Sequence, residues 1–287
     1  MKKQIVLAVL GLSSLVGLMG CEQKEKLPAT APAAKETQAT QPPEERIKVV
    51  AKIERADYAL PECKGTTCPE ISLMKMTSNQ TWLDQHVNAQ VVKTVQQLVD
   101  MPALEQIQVD DAQNNPSELQ SYVNQLLALG DEIQALGANH QINVMVSPKL
   151  IQAEAPIATV AVVSSSYLGG AHGSAHQQYL NFDLKQKRQI QLDEVIVSGQ
   201  KKALEKAAYQ VYQQWVKEIQ EVDNTAEYEQ MWPFELTDNF YLGTNGLVLQ
   251  YAEYEIGPYV VGLPRLTIPY MQLKGILKPT FLPEKAK

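Results

Sequence analysis

Apolar positions recur with period two in some stretches of the chain and with period 3.6 in others, and the switches between them lay out its elements. Ile47 to Tyr58 opens apolar and β-branched, alternates through Val49, Ala51 and Ile53, and predicts a strand. Glu70 to Met76 predicts a second. From about Trp82 the period lengthens, and Val87, Val91, Val95 and Leu98 line one helical face with Gln and Lys opposite. Asn115 is placed to cap a second helix, with Pro116 at its first position. That helix carries Leu119, Val123, Leu126, Leu127 and Ile133 inward and ends near Gly137. Gln141 to Ser147 alternates as a strand, and Ile157 to Tyr167 is a strand with a nearly continuous apolar start.

Gly169-Gly170-Ala171-His172-Gly173 interrupts the pattern before a strand over Gln177 to Leu184. A long helix is expected from about Asp193 to Ile219, its stripe including Leu204, Ala208, Val211 and Trp215. Phe240 to Leu242, the turn Gly243-Thr244-Asn245-Gly246, and Leu247 to Tyr254 form a hairpin signal, with Asn-Gly between alternating strands. Gly257-Pro258-Tyr259 and Gly262-Leu263-Pro264 are irregular. Leu266 to Pro269 leads into a short C-terminal helix through Leu277. No internal repeat is visible. Strands, helices, strands, helix and strands in that order predict an α+β fold. Its sheets are mainly antiparallel with packed helices, as two related subdomains or one composite domain.

The first 45 residues follow neither period. Lys2 and Lys3 precede an apolar run from Ile5 to about Val16, and Leu18-Met19-Gly20-Cys21 closes it with small residues before a cysteine. This is the pattern of a lipoprotein signal peptide over residues 1–20, cut before Cys21, whose thiolate takes the lipid. The run is short for a membrane span, whereas acyl chains on Cys21 make a stable anchor at about 0.8 kcal/mol per buried methylene. Glu22 follows where an inner-membrane retention signal has Asp, so an outer-membrane location facing the periplasm is expected. Residues 21–45 are rich in Pro, Ala, Thr, Gln, Glu and Lys, with no aromatic side chain, and predict a disordered tether. The expected folded parts are residues 46–155 and 156–280.

Charge and cysteines narrow the partners. Without Lys2 and Lys3 the chain has 23 basic against 32 acidic side chains, a net charge near −9. Such a surface repels nucleic acid and attracts cationic partners. Cys63 and Cys68 lie in a loop of an exported chain and predict a disulfide; four residues between them rather than two, and no helix start after them, argue against a redox pair.

Candidate chemistry is sparse. His172 and His176 are four residues apart, the spacing that zinc proteases use on a helix. The glycines around them predict a turn instead, and no Glu follows His172 to act as base. The preferred reading is a glycine turn in which His172 donates a hydrogen bond to a neighbouring carbonyl; a metal-assisted hydrolase using His172 and His176 is the alternative. Ser164, Ser165 and Ser166 lack a nucleophile-elbow pattern. Glu253, Glu255 and Asp183 are candidates for a glycosidase pair only if the fold brings them together. Tyr167, Tyr179, Tyr241, Tyr251, Tyr254, Tyr259 and Tyr270 crowd the second half of the chain, and tyrosine is a good interface anchor.

Several of these pieces also occur together in a known family. They are Tyr167-Leu168-Gly169-Gly170-Ala171-His172-Gly173, Tyr179-Leu180-Asn181-Phe182-Asp183-Leu184, and Leu192-Asp193-Glu194 at a helix start. Asn239-Phe240-Tyr241-Leu242, Gly246-Leu247, Tyr254-Glu255-Ile256-Gly257-Pro258-Tyr259 and Ile268-Pro269 follow in order. In this the stretch from Tyr167 to Pro269 resembles the RsiV-like extracellular domain family, typified by a lysozyme-sensing anti-sigma factor. Ile47 to about Val163 is more loosely similar to the domain paired with it, which also accompanies peptidoglycan deacetylases of the PdaC type. The resemblance implies a non-enzymatic envelope module that binds a cationic protein such as lysozyme, or peptidoglycan, without a cofactor. Tyr167, Gly169, Gly170, His172, Tyr254, Glu255 and Tyr259 are the candidate binding or turn residues. A lipid anchor in place of a transmembrane helix, and no sigma-binding region, mean that signalling is not implied.

Overall fold

A computed structural model describes residues 47–64, 67–100, 118–137, 140–155, 157–220 and 225–284. Cys21, the expected tether and the Asn115-Pro116 helix start lie outside these residues. Six strands form the larger sheet in sequence order: β1 (Ala51–Arg55), β2 (Glu70–Ser78), β3 (Asn143–Gln152), β4 (Ile157–Tyr167), β5 (Ser174–Asp183) and β6 (Arg188–Ile190). All neighbours are antiparallel except β2 and β3. Parallel neighbours need a long crossover, and α1 (Thr81–Val99) and α2 (Glu118–Ala135) lie within it.

Helix α1 buries Val87, Val91, Val95 and Val99 against this sheet, and Leu98 is only half-buried. Polar side chains fix its position. Asn88 accepts from the Met76 N–H and donates to the Met76 carbonyl, both at 2.8 Å. Asp84 accepts from the Ser78 N–H and hydroxyl. Central strand β4 explains its own apolar start: Ala158, Val160 and Val162 join the core beneath α1 and α2, while Ile157 belongs to a second core.

That second core lies among α3 (Leu192–Val195), α4 (Lys201–Gln220), α5 (Thr225–Met231) and a three-stranded antiparallel sheet. Its strands are β7 (Phe240–Leu242), β8 (Gly246–Gln250) and β9 (Arg265–Pro269). Amide side chains join the two sheets. Buried Asn181 of β5 accepts from the Thr159 hydroxyl at 2.9 Å and donates to the Phe240 carbonyl at 2.7 Å. Asn239 donates to the Gln177 carbonyl and accepts from the Tyr179 N–H. Residues 45–287 constitute one compact unit containing both cores. The expected boundary at residue 155 falls between β3 and β4, which are paired neighbours of one sheet.

The α+β architecture with mainly antiparallel sheets is present, but two helices differ from expectation. The helix expected from Asp193 to Ile219 is broken. Gln191 and Glu194 form a capping box at α3, and Gly199 takes φ +81° before α4 starts. Between them the backbone pairs with the C-terminal segment: Val197 N–H donates to Ile276, and Ile196 bridges Leu277. The helix expected through Leu277 is a single 3-10 turn, Tyr270–Leu273, ended as Gly275 enters the left-handed region. Strand β6 and helix α5 carry too few periodic positions to stand out in the sequence.

Cys63 and Cys68 form the expected disulfide, with Cα atoms 5.8 Å apart. The chain enters the fold beside the β3–β4 connection: Val49 N–H donates to Ala153, Ala155 N–H donates to Ile47, and Lys48 pairs with Glu154.

Candidate functional site

The connection between β4 and β5 requires its glycines. Gly169 and Gly170 both have φ +93°, where a Cβ is strained. A Cβ on Gly173 would lie 2.7 Å from the Ser166 carbonyl oxygen. The Tyr167 hydroxyl donates to the Gly170 carbonyl at 2.9 Å and lies 3.2 Å from His140 Nδ1.

His172 projects from this turn toward the segment after β8. Its Nδ1 lies 3.0 Å from the Gly173 carbonyl, which can only accept, so Nδ1 carries the proton. Nε2 lies 3.1 Å from the Tyr254 hydroxyl. The imidazole stacks on Tyr259, with centroids 4.0 Å apart and planes 23° apart, and the Tyr259 hydroxyl donates to the same Gly173 carbonyl. Tyr254 continues the stack, 5.8 Å from Tyr259 and 6.4 Å from Trp232. It is 48 % exposed and has φ +63°. A non-glycine residue there costs about 1–2 kcal/mol, so the surrounding contacts must hold it.

Carboxylates on either side of Tyr254 supply some of those contacts. Glu253 accepts from the Ser174 hydroxyl and the Ala175 N–H, both at 3.1 Å, tying this segment to the start of β5. Glu255 accepts from the Ala252 N–H at 2.7 Å. Although Glu255 is exposed as a residue, crowding around its carboxyl group raises its pKa; the Ala252 N–H opposes this and nearby Glu235 adds to it. Gly257 passes so close to the helices that a Cβ there would lie 2.6 Å from the Tyr228 hydroxyl.

An open cleft of about 350 Å³ lies between turn and segment, lined by His172, His176, Glu253 and Tyr254 among others. His176 sits on β5 opposite Ser164, without a hydrogen bond between their side chains, and burial lowers its pKa. The candidate residues thus divide. His172, Tyr254 and Tyr259 form one stack, Glu255 adjoins it, and Tyr167, Gly169 and Gly170 shape the turn that presents it. Tyr179, Tyr251 and Tyr270 are buried. Both ring nitrogens of His172 are engaged, and among the described residues no group of three His, Cys, Asp or Glu side chains is placed to hold a metal ion. Asp183 closes the β5–β6 turn by accepting from the Lys185 and Gln186 N–H groups. It is separated from Ser174 by the length of β5, about 30 Å at about 3.3 Å per residue. A glycosidase pair needs carboxyl groups less than about 10 Å apart, so Asp183 and Glu253 do not form one. Trp232 and the bonding role of Glu253 carried no signal in the sequence, because both depend on contacts with distant segments.

Residues 191–271 match a family model described as a protein of unknown function, DUF3298. Two crystal structures of DUF3298 family proteins share the fold. One, from Pseudomonas aeruginosa PAO1, has TM-score 0.57 and 23 % identity, covering 82 % of this chain and 95 % of that one. The other, from Bacteroides fragilis NCTC 9343, has TM-score 0.56 and 16 % identity, covering 82 % of this chain and 96 % of that one. No curated protein matches the chain. The matched segment overlaps most of the stretch that carried the RsiV-like resemblance.

Proposed function

We propose that this chain is an envelope lipoprotein, anchored through Cys21 and facing the periplasm from the outer membrane, whose folded unit is a non-enzymatic binding module. Its partner is a cationic envelope protein of the lysozyme type, bound at the surface around Tyr254. The observation that supports this is the stack of His172, Tyr259, Tyr254 and Trp232, in which the exposed Tyr254 is kept in a strained backbone conformation. The residues next to the stack in the chain, Met231 and Val260, are 69 % and 85 % exposed. An apolar centre of this kind, rimmed by Glu235, Glu253 and Glu255, suits a partner presenting Lys and Arg. The net negative charge favours the same class. Among the described residues no helix is long and apolar enough to cross a membrane, so the anchoring proposal rests on the signal pattern at Cys21. Cell-wall glycan, the other ligand class expected from the sequence, has a different surface available, the amide-lined groove beside α1.

The test is calorimetric titration of residues 45–287 with lysozyme at low and physiological salt. Sub-micromolar binding that weakens with salt, and weakens further by about tenfold or more in Tyr254→Ala, is the expected result. Absence of heat at both salts would remove the cationic-protein reading.

A further inference from the structure

Helices α1 and α2 do not roof the whole of the larger sheet. The first turns of α1 reach β5, where Trp82 and His86 pack edge-on against Phe182, and farther along the helix a groove of about 470 Å³ opens over β5 and β6. One wall is the side of α1 bearing Gln90, Lys93 and Gln97, spanning about 10 Å along the helix at about 1.5 Å per residue. The floor presents Gln178 and His176 from β5 and Gln189 from β6.

Three properties of this groove stand out in so acidic a chain. Among the described residues no carboxylate lines it, although the chain has 32 Asp and Glu residues. Its polar groups are largely uncommitted: among the described residues Gln97, Gln189, Lys93 and His176 make no side-chain hydrogen bond. Gln90 and Gln178 make only long ones, of 3.5 and 3.4 Å. Its apolar parts are two leucines, Leu98 and Leu180, one on each side. Each glutamine amide offers donors and an acceptor together, which suits a ligand whose own groups both donate and accept. Half-buried Leu98 offers a surface to C–H faces and methyl groups, with Leu180 buried beneath it.

We infer that this groove binds an N-acetylated oligosaccharide, its hydroxyl and acetamido groups meeting the glutamine amides and an apolar face lying on Leu98. A cationic ligand would find no counter-charge among the described lining residues. Lys93, the one full charge among them, serves as a hydrogen-bond donor at the solvent edge. His176 lines both this groove and the cleft beside Tyr254, so a longer glycan passing over β5 reaches the aromatic stack. The inference rests on the reading of the chain as an envelope binding module, but not on the Tyr254 surface binding protein.

The probe is the tetramer of N-acetylglucosamine, added to isotope-labelled residues 45–287 and followed by backbone-amide NMR. The expected result is saturable shifts on α1 between Gln90 and Gln97 and on β5 around Gln178. The solvent-facing variant Gln97→Ala, which keeps the fold, and the pair Gln97→Ala/Gln178→Ala should weaken binding, the pair by about tenfold or more. Tyr254→Ala should leave the tetramer's affinity within about twofold while weakening the lysozyme titration, so the two readings fail independently. No saturable shift at millimolar sugar, shifts confined to other surfaces, or unchanged affinity in both glutamine variants would each overturn the inference. So would equal shifts of the same amides by an uncharged polar tetrapeptide.

Discussion

Replacing Asn181 with Ala should destabilise the protein more than any surface change, because its buried amide is one of the two that join the sheets. Asn181 and Thr159 are each 1 % exposed. The substitution deprives the Thr159 hydroxyl of its acceptor and the Phe240 carbonyl of its donor. A buried polar group left unpaired costs about 1–3 kcal/mol, so the expected loss is about 2–5 kcal/mol. Domains have only about 5–15 kcal/mol in total, so the loss is easily measured. Guanidinium unfolding of residues 45–287, followed by tryptophan fluorescence and by circular dichroism, reports it as a lower midpoint. A double-mutant cycle locates the origin. Thr159→Val removes the hydroxyl that Asn181→Ala strands, so the double variant should be less destabilised than the sum of the singles by about 1 kcal/mol. A loss under about 1 kcal/mol for Asn181→Ala, or strict additivity in the cycle, would refute this account of how the sheets are joined.

Gly173→Ala forces its Cβ against the Ser166 carbonyl and should cost about 1–3 kcal/mol, read as a fall in thermal midpoint; a wild-type midpoint would show that the turn can relax. His176 has a lowered pKa in the fold, so below about pH 6.5 the unfolded chain binds a proton that the native state resists. Stability should therefore fall as pH drops through about 6.5, until the native pKa is reached, and His176→Gln should flatten that limb of the midpoint-versus-pH curve. Glu255 works in the opposite sense. Its raised pKa makes the native state bind the proton more readily, so its contribution is present at low pH and lost as pH rises through the native value; Glu255→Gln should remove that slope. Opening the Cys63–Cys68 bridge by Cys63→Ser/Cys68→Ser should cost about 2 kcal/mol by chain entropy, a small value because the loop is short. An unchanged unfolding midpoint would place the loop outside the cooperative unit.

Local rules made much of the fold legible. The strand over Ile157–Tyr167 showed because a central strand must be apolar on both faces, and the Asn245-Gly246 turn showed because few residues suit it. The valines of α1 repeat at helical spacing and are buried accordingly. What stayed hidden was non-local. Residues 195–197 have helical neighbours on both sides, yet they pair with residues 276–278, and nothing nearby marks that partner. The candidate site divides in the same way. The glycines at 169, 170 and 173 signal a turn by themselves, whereas the stacking of His172 on Tyr259 brings together residues 87 positions apart. The groove beside α1 left no trace, since glutamines on the exposed flank of a helix look like ordinary solvated positions.

The clasp between residues 47–49 and 153–155 sets where load would act on the molecule. Any pull delivered from upstream reaches the sheet at the start of β4, and the turn that carries His172 lies at the other end of that strand. The strand has 11 residues, about 36 Å at about 3.3 Å per residue. A pull applied at the clasp therefore acts at the end of β4 away from the aromatic surface. Tension is borne first by the few hydrogen bonds of the clasp, so those bonds would open before either hydrophobic core is strained.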